Sequence, residues 1–238
     1  MVDLELQDGL AVITIDRPQA RNAIAPETMD QLDEALDRAR DALALVIRGG
    51  GDRAFVSGGD LKELAKLRTV EQAADMARRM RGICDRIAAF PGPVIAALNG
   101  HALGGGAEVA VAADIRIAAD DIKIGFNQVS LAIMPAWGGA ERLAALVGRG
   151  RALLLAGSGT ILDAAGAARV GLVDQVVPRA AFDETWRSVA RSLTNRPAGD
   201  IKRVIGGATP AEAIDAFANL WVHDDHWAAA DKVLSAKK

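Results

Sequence analysis

The sequence predicts an α/β body followed by an all-helical segment, and three observations lead there. Short apolar runs alternate with stretches of helical spacing as far as Val177, the pattern of an α/β protein. Two glycine-bearing loops, Gly58-Gly59 and Gly104-Gly105-Gly106, each follow an apolar strand and each open a helix. Everything beyond Pro178 reads as helical, with breaks near Pro197 and Gly206-Gly207-Ala208-Thr209-Pro210. The expected division is a body over residues 1–178 and a helical C-terminal segment over 179–238.

In chain order, Leu4-Glu5-Leu6 and Ala11 to Ile15 flank Asp8-Gly9, a tight hairpin signal. Pro18 ends the second strand because it lacks a ladder donor. Pro26 opens a helix carrying Met29, Leu32, Ala35, Leu36 and Ala39 on one face. Leu43 to Ile47 reads as a buried strand, and Asp60 is placed to cap the helix after Ser57-Gly58-Gly59. A long helix spans about Val70 to Ala89 and stops at Pro91-Gly92-Pro93. Strands follow at Val94 to Leu98, Ile115 to Ala118 and Ile122 to Ile124. Helices are expected from Ala140 to Val147, Arg149 to Ala156 and Asp163 to Val170, with a last strand from Leu172 to Val177. The tail has amphipathic faces, Ile214, Phe217 and Trp221 among them, which need a surface to cover.

Composition narrows the function classes. With 238 residues, half apolar and a quarter charged, the chain has the material for a sizeable core. A net charge of −3 gives no electrostatic case for nucleic acid. The single cysteine, Cys84, excludes an intrachain disulfide and fits a reducing compartment, so a cytoplasmic location is expected. The N-terminus lacks the basic and then apolar regions of a secretory signal. Pro93 to Ala113 is long and apolar enough to suggest a membrane span. Asn99, His101, Glu108 and the clustered glycines instead point to a strand, a turn and a buried helix.

Glu108 stands alone on an apolar helix. Its neighbours three and four residues away are Gly104, Gly105, Val111 and Ala112, none of which pairs with a carboxylate. It is either desolvated, with its proton affinity raised, or partnered from elsewhere, for example by Arg116 or Arg142. A raised-pKa carboxylate is what general acid–base chemistry near neutral pH requires. The paired glycine loops can aim two N–H groups at one oxygen, an oxyanion hole for a carbonyl that becomes an enolate.

Rival motifs fall short. The three glycines lack the dinucleotide pattern, since position 109 is Val, and Gly49-Gly50-Gly51 lacks the Lys-Ser/Thr of a phosphate loop. A serine hydrolase built on Ser57 and His101 lacks the glycine two residues before its nucleophile, where Phe55 stands. His223-Asp224-Asp225-His226 invites a metal, but a polar helical setting reads better as a solvated face.

Five segments together resemble the crotonase (enoyl-CoA hydratase/isomerase) superfamily. They are Arg17 to Ile24, Ala54 to Glu63, Pro93 to Asp114, Pro135 to Leu143, and Ala164 to Val173. The resemblance covers nearly the whole chain in order. It implies a crotonase-like spiral of ββα units with a helical C-terminal segment that supplies oligomer contacts and active-site cover. The implied assembly is a homotrimer or a dimer of trimers. It implies an acyl-CoA thioester as substrate, with coenzyme A part of that substrate and no separate cofactor, metal, nucleic acid or membrane. By motif, the oxyanion donors are the N–H groups of Gly59 and Gly105, and Glu108 is the acid/base. Arg21, Ala23, Gly59, Asp60, Leu61 and Lys62 fall where the family holds the CoA moiety, with Asp60 a helix cap rather than a catalyst.

The chain departs from the hydratases at two positions. Their second glutamate is Gln128 here, and an amide orients water but exchanges no proton. Trp137 is bulky where they carry a small residue, so a reshaped acyl pocket is expected. One base suffices to move a double bond between the β,γ and α,β positions, or to serve a slower hydration with Gln128 holding the water. The alternatives are an acyl-CoA decarboxylase, a thioester hydrolase, or an acyl-CoA-binding paralogue of weak activity.

Overall fold

The structure, a computed structural model, describes residues 1–235 and begins with the hairpin expected at Asp8-Gly9. β1 (Val2–Gln7) pairs antiparallel with β2 (Leu10–Ile15). Asp8 and Gly9 both take positive φ, 49° and 78°, the turn backbone whose twist matches its strands. A 3₁₀ turn at Pro18–Ala20 leads to α1 (Pro26–Ala39), which buries the predicted Met29, Leu32, Ala35 and Leu36 face.

A three-part pattern then repeats. β3 (Ala44–Gly49) and β4 (Ala54–Val56) precede α2 (Leu61–Leu64) and α3 (Val70–Ala88). β5 (Val94–Leu98) and β6 (His101–Leu103) precede α4 (Gly105–Ala110). β7 (Ile115–Ala119) and β8 (Lys123–Gly125) precede a 3₁₀ turn at Asn127–Leu131, α5 (Gly139–Val147) and α6 (Arg149–Ser158). β9 (Ile161–Asp163), α7 (Ala164–Arg169) and β10 (Gln175–Val177) follow. The chain continues as α8 (Phe182–Leu193), α9 (Arg196–Ile205), α10 (Pro210–Trp221) and α11 (Asp224–Ser235).

The first strand of each repeat enters a six-stranded sheet of order β1-β2-β3-β5-β7-β10, parallel beyond the hairpin. The second strand enters a four-stranded sheet of order β4-β6-β8-β9, antiparallel only at β9. A chain that visits one sheet, then the other, then a helix advances as a spiral of ββα units. The central strands of the large sheet are covered on both faces, and Val94–Leu98 is buried throughout, as continuous apolar runs in parallel strands require. α8 packs on β3, β5 and β7 and buries Phe182, Trp186 and Ala190. α10 and α11 instead leave Phe217, Trp221, Trp227 and Leu234 exposed.

Two local expectations change and a third holds. The stretch read as one strand over Leu172 to Val177 pairs only from Gln175, because Leu172 and Val173 are buried in the turn after α7. Asp163 ends β9 and caps α7, its carboxylate accepting from Gly166 N at 2.6 Å. Pro93 to Ala113 divides into β5, β6 and α4, and among the described residues no helix is long and apolar enough to cross a membrane.

Two buried asparagines lock the loops at the carboxyl ends of the central strands. Asn22 donates to Gly50 O (2.9 Å) and Ala54 O (2.7 Å) and accepts from Arg17 N (2.9 Å). Asn99 accepts from Gly49 N (2.8 Å) and donates to Gly51 O (2.7 Å). Each satisfies backbone groups that would otherwise be orphaned in the interior.

Candidate active site

β4 and β6 are neighbours in the small sheet, so the loops that leave them run side by side. Gly58 and Gly104 turn the chain with φ of 105° and 55°, in the region that favours glycine. The loops touch through backbone: a Cβ on Gly58 would lie 3.4 Å from the nitrogen of Gly105. Gly105 is the first residue of α4, where an N–H has no intrahelical acceptor. Gly59 lies between two pairings to Ile24, Ile24 N to Gly58 O and Asp60 N to Ile24 O, both 2.8 Å, that leave its own N–H unused. Two backbone donors without a partner among the described residues therefore sit on adjoining loops.

Glu108 lies one turn further along α4 and is 2 % exposed. Its Oε2 accepts from Trp137 N at 2.7 Å and from Gly139 N at 3.0 Å, at the start of α5 where the helix dipole favours an anion. Its Oε1 accepts from Gln128 Nε2 at 2.9 Å. The arginine alternatives do not hold: Arg116 pairs with Asp174 at 2.6 Å and Arg142 with Asp85 at 2.5 Å. Burial pushes the Glu108 carboxyl above the usual carboxylate range. The hydrogen bonds from Gly139, Trp137 and Gln128 pull the other way and offset only part of it. The result is a carboxyl of raised proton affinity held by three N–H donors, with one lone pair of Oε1 unused by them.

Gln128 is 7 % exposed, and its Oε1 has no hydrogen-bond partner among the described residues. The amide orientation follows from Glu108, since turning it over would set two acceptor oxygens against each other. A buried carbonyl oxygen without a donor is costly, so this one is ready for a ligand's O–H or N–H.

Trp137 is brought onto the glycine loops by the same backbone that binds Glu108. A Cβ on Gly105 would collide with the six-membered ring of the indole, and one on Gly59 would lie 3.8 Å from Cζ2. The ring thus lies across both donor loops. Gly139 is equally constrained, because a Cβ there would come within 2.9 Å of Glu108 Oε2.

The remaining predicted positions form one strip beside the site. Arg21 O accepts from Ser57 N at 3.2 Å, and Ala23 O accepts from Arg17 Nη1 at 2.5 Å. Asp60 caps α2 by accepting from Lys62 N and Glu63 N and pairs with Arg17 at 3.0 Å. Its burial raises the carboxyl pKa, but Arg17 and the backbone donors more than offset this and hold it below the ordinary value. Leu61 and Lys62 are exposed along that strip. No hydrogen bond joins Ser57 to His101 among the described residues, and His101 Nδ1 accepts from Lys123 N at 3.1 Å. His226 stacks on Trp221 with ring centroids 4.5 Å apart, and His223 Nδ1 accepts from Asp225 N. Among the described residues no three metal-ligating side chains converge.

Sequence reasoning missed Asn22, Arg17 and the N–H groups of Trp137 and Gly139. Only Gly138-Gly139 carried a signal for these, being a third glycine loop that opens a helix.

Comparison with known proteins bears on the family and the fold. The family model described as enoyl-CoA hydratase/isomerase matches residues 5–206. The short-chain-enoyl-CoA hydratase of Clostridium acetobutylicum is 36% identical over 202 residues, 82% of this chain and 75% of that one. The crotonyl-CoA hydratase of Syntrophomonas wolfei is 39% identical over 195 residues, 80% of this chain and 75% of that one. The crystal structure of an enoyl-CoA hydratase from Bacillus anthracis superposes with a TM-score of 0.91 at 28% identity, covering 99% of this chain and 96% of that one.

Proposed function

We propose that this chain, which belongs to the enoyl-CoA hydratase/isomerase family, adds water reversibly to a 2-enoyl-CoA thioester with Glu108 as the only proton carrier. The observation that carries this reading is the buried, unpartnered Oε1 of Gln128 beside the Glu108 carboxylate. It accepts a hydrogen bond from the attacking water, or from the β-hydroxyl in the reverse direction.

The thioester carbonyl accepts from Gly59 N–H and Gly105 N–H, which stabilise the enolate as it forms. Glu108 takes one proton from the water held on Gln128 while the water oxygen bonds to Cβ. The electron pair of the double bond moves onto the thioester oxygen. Protonated Glu108 then returns that proton to Cα, and the enolate collapses to the 3-hydroxyacyl thioester. The elevated proton affinity of Glu108 suits both halves of this exchange. A malonyl-type carboxylate would meet acceptor oxygens on both Glu108 and Gln128, which counts against decarboxylation.

The CoA moiety lies along Arg21, Ala23, Gly59, Asp60, Leu61 and Lys62. Residues 1–178 carry the site. Residues 179–238 build a homotrimer or a dimer of trimers through the exposed apolar faces of α10 and α11 and help cover the site. Cys84 is buried, with its thiol pushed up to about 12 by desolvation, an inert side chain suited to the cytoplasm.

The test is incubation with crotonyl-CoA, read by loss of enoyl absorbance and by appearance of the hydrated thioester in the mass spectrum. Hydration that disappears in Glu108→Gln supports the reading. Conversion of 3-butenoyl-CoA to crotonyl-CoA with no hydrated product replaces it with double-bond migration.

A further inference from the structure

We infer that Trp137 is the residue that sets acyl-chain length, closing the site behind a crotonyl-sized acyl group and excluding longer ones. The inference deepens the acyl-CoA reading above and rests on it.

An oxyanion formed between Gly59 N and Gly105 N puts the thioester carbon between the two donor loops, with Cα and Cβ running toward Glu108 and Gln128. The Trp137 indole already fills the space beside those loops. Its six-membered ring comes within 2.1 Å of where a Cβ of Gly105 would lie and within van der Waals contact of a Cβ on Gly59. It is 6 % exposed, so nothing short of displacing it admits further methylenes on that side.

The indole is also held in place. Its residue's N–H is fixed on Glu108 Oε2 at 2.7 Å, and its carbonyl accepts from Arg142 Nη1 at 3.3 Å. Arg142 is itself anchored by Asp85 at 2.5 Å. The next residue, Gly138, has φ +87°, a backbone state that other residues reach only with strain, so the turn does not readily re-form. A wall pinned at both its N–H and its carbonyl acts as a fixed floor. Moving it would also release two of the three donors that hold Glu108. A chain too long for the site therefore disturbs the proton carrier as well as the binding pocket.

The test compares wild type with Trp137→Ala and Trp137→Leu on crotonyl-, trans-2-hexenoyl-, trans-2-octenoyl- and trans-2-decenoyl-CoA. Kd values for butyryl- and octanoyl-CoA are measured in parallel by calorimetry. Wild type is expected to lose at least about tenfold in kcat/KM from crotonyl to octenoyl, the scale of discrimination a few misplaced methylenes produce. Trp137→Ala should reverse the octenoyl-to-crotonyl ratio by about tenfold or more, with Trp137→Leu intermediate and octanoyl-CoA binding tightened. The inference is overturned if wild type accepts decenoyl-CoA as well as crotonyl-CoA, or if neither variant changes the ratio of Kd values. Absence of turnover with a short-over-long binding preference that Trp137→Ala abolishes would overturn the hydration reading and leave this inference standing.

Discussion

Replacing Gln128 by glutamate puts a carboxylate oxygen where Nε2 now donates to Glu108 Oε1 at 2.9 Å. Both side chains are buried, so two negative charges would face each other at hydrogen-bond distance. At about 4 Å and an effective dielectric constant near 20 their repulsion is about 4 kcal/mol. Uptake of one proton by the pair removes it. Protonating a carboxyl of unfolded pKa about 4.3 at pH 7 costs about 3.7 kcal/mol, at about 1.36 kcal/mol per pH unit. The two figures nearly coincide, so Gln128→Glu should be about 3–4 kcal/mol less stable than wild type at pH 7.

The sign with pH follows from the pair's raised proton affinity. The folded variant holds a proton that the unfolded chain releases, so the penalty shrinks as pH falls toward about 4.3 and is about 1 kcal/mol at pH 5. Urea unfolding of both proteins at pH 5 and pH 7 reads this directly. The shared proton also restores a second acid, so hydration of crotonyl-CoA should rise by about tenfold or more. An equal loss of stability at both pH values would refute the reasoning, because it would place Gln128 and Glu108 out of each other's electrostatic reach.

Three further outcomes are expected. Glu108→Gln keeps an acceptor for Trp137 N and Gly139 N and lets the Gln128 amide turn over to receive its new N–H. It should therefore unfold within about 1 kcal/mol of wild type while losing about 10²- to 10⁴-fold in kcat. The kcat/KM profile of wild type should fall on acidification as Glu108 becomes protonated. Its midpoint should lie above the value of about 4.3 for an exposed glutamate, because burial raises the proton affinity. Gly139→Ala sets a Cβ against the Glu108 side chain; thermal or urea unfolding should show about 1–3 kcal/mol of overpacking cost, with kcat falling more than KM rises.

The long elements were legible because their signals are local. Asp8-Gly9 adopts the positive φ pair that its sequence demands. Thr69 caps α3, with a reciprocal bond to Gln72, close to the predicted start at Val70. The three-residue strands β4, β6 and β9 are too short for a period to declare itself, and they are fixed by pairing across the small sheet. In the site, Glu108 was conspicuous as the one charge on an apolar helix. Its partners were not, because Trp137 N and Gly139 N are backbone groups and every residue except proline has one. Gln128 stood out only through its departure from a family pattern. The bulk of Trp137 was visible in the sequence, but its seat across Gly59 and Gly105 depends on how α5 docks, a tertiary contact with no local signature.

The measurement that bears most directly on the central claim is hydration of crotonyl-CoA in deuterium oxide, with the product's Cα examined by mass spectrometry and proton NMR. Wild type should give 3-hydroxybutyryl-CoA carrying one solvent-derived deuteron at Cα, delivered by Glu108, and Glu108→Gln should give essentially none. Hydrated product at the wild-type rate from Glu108→Gln would contradict the account.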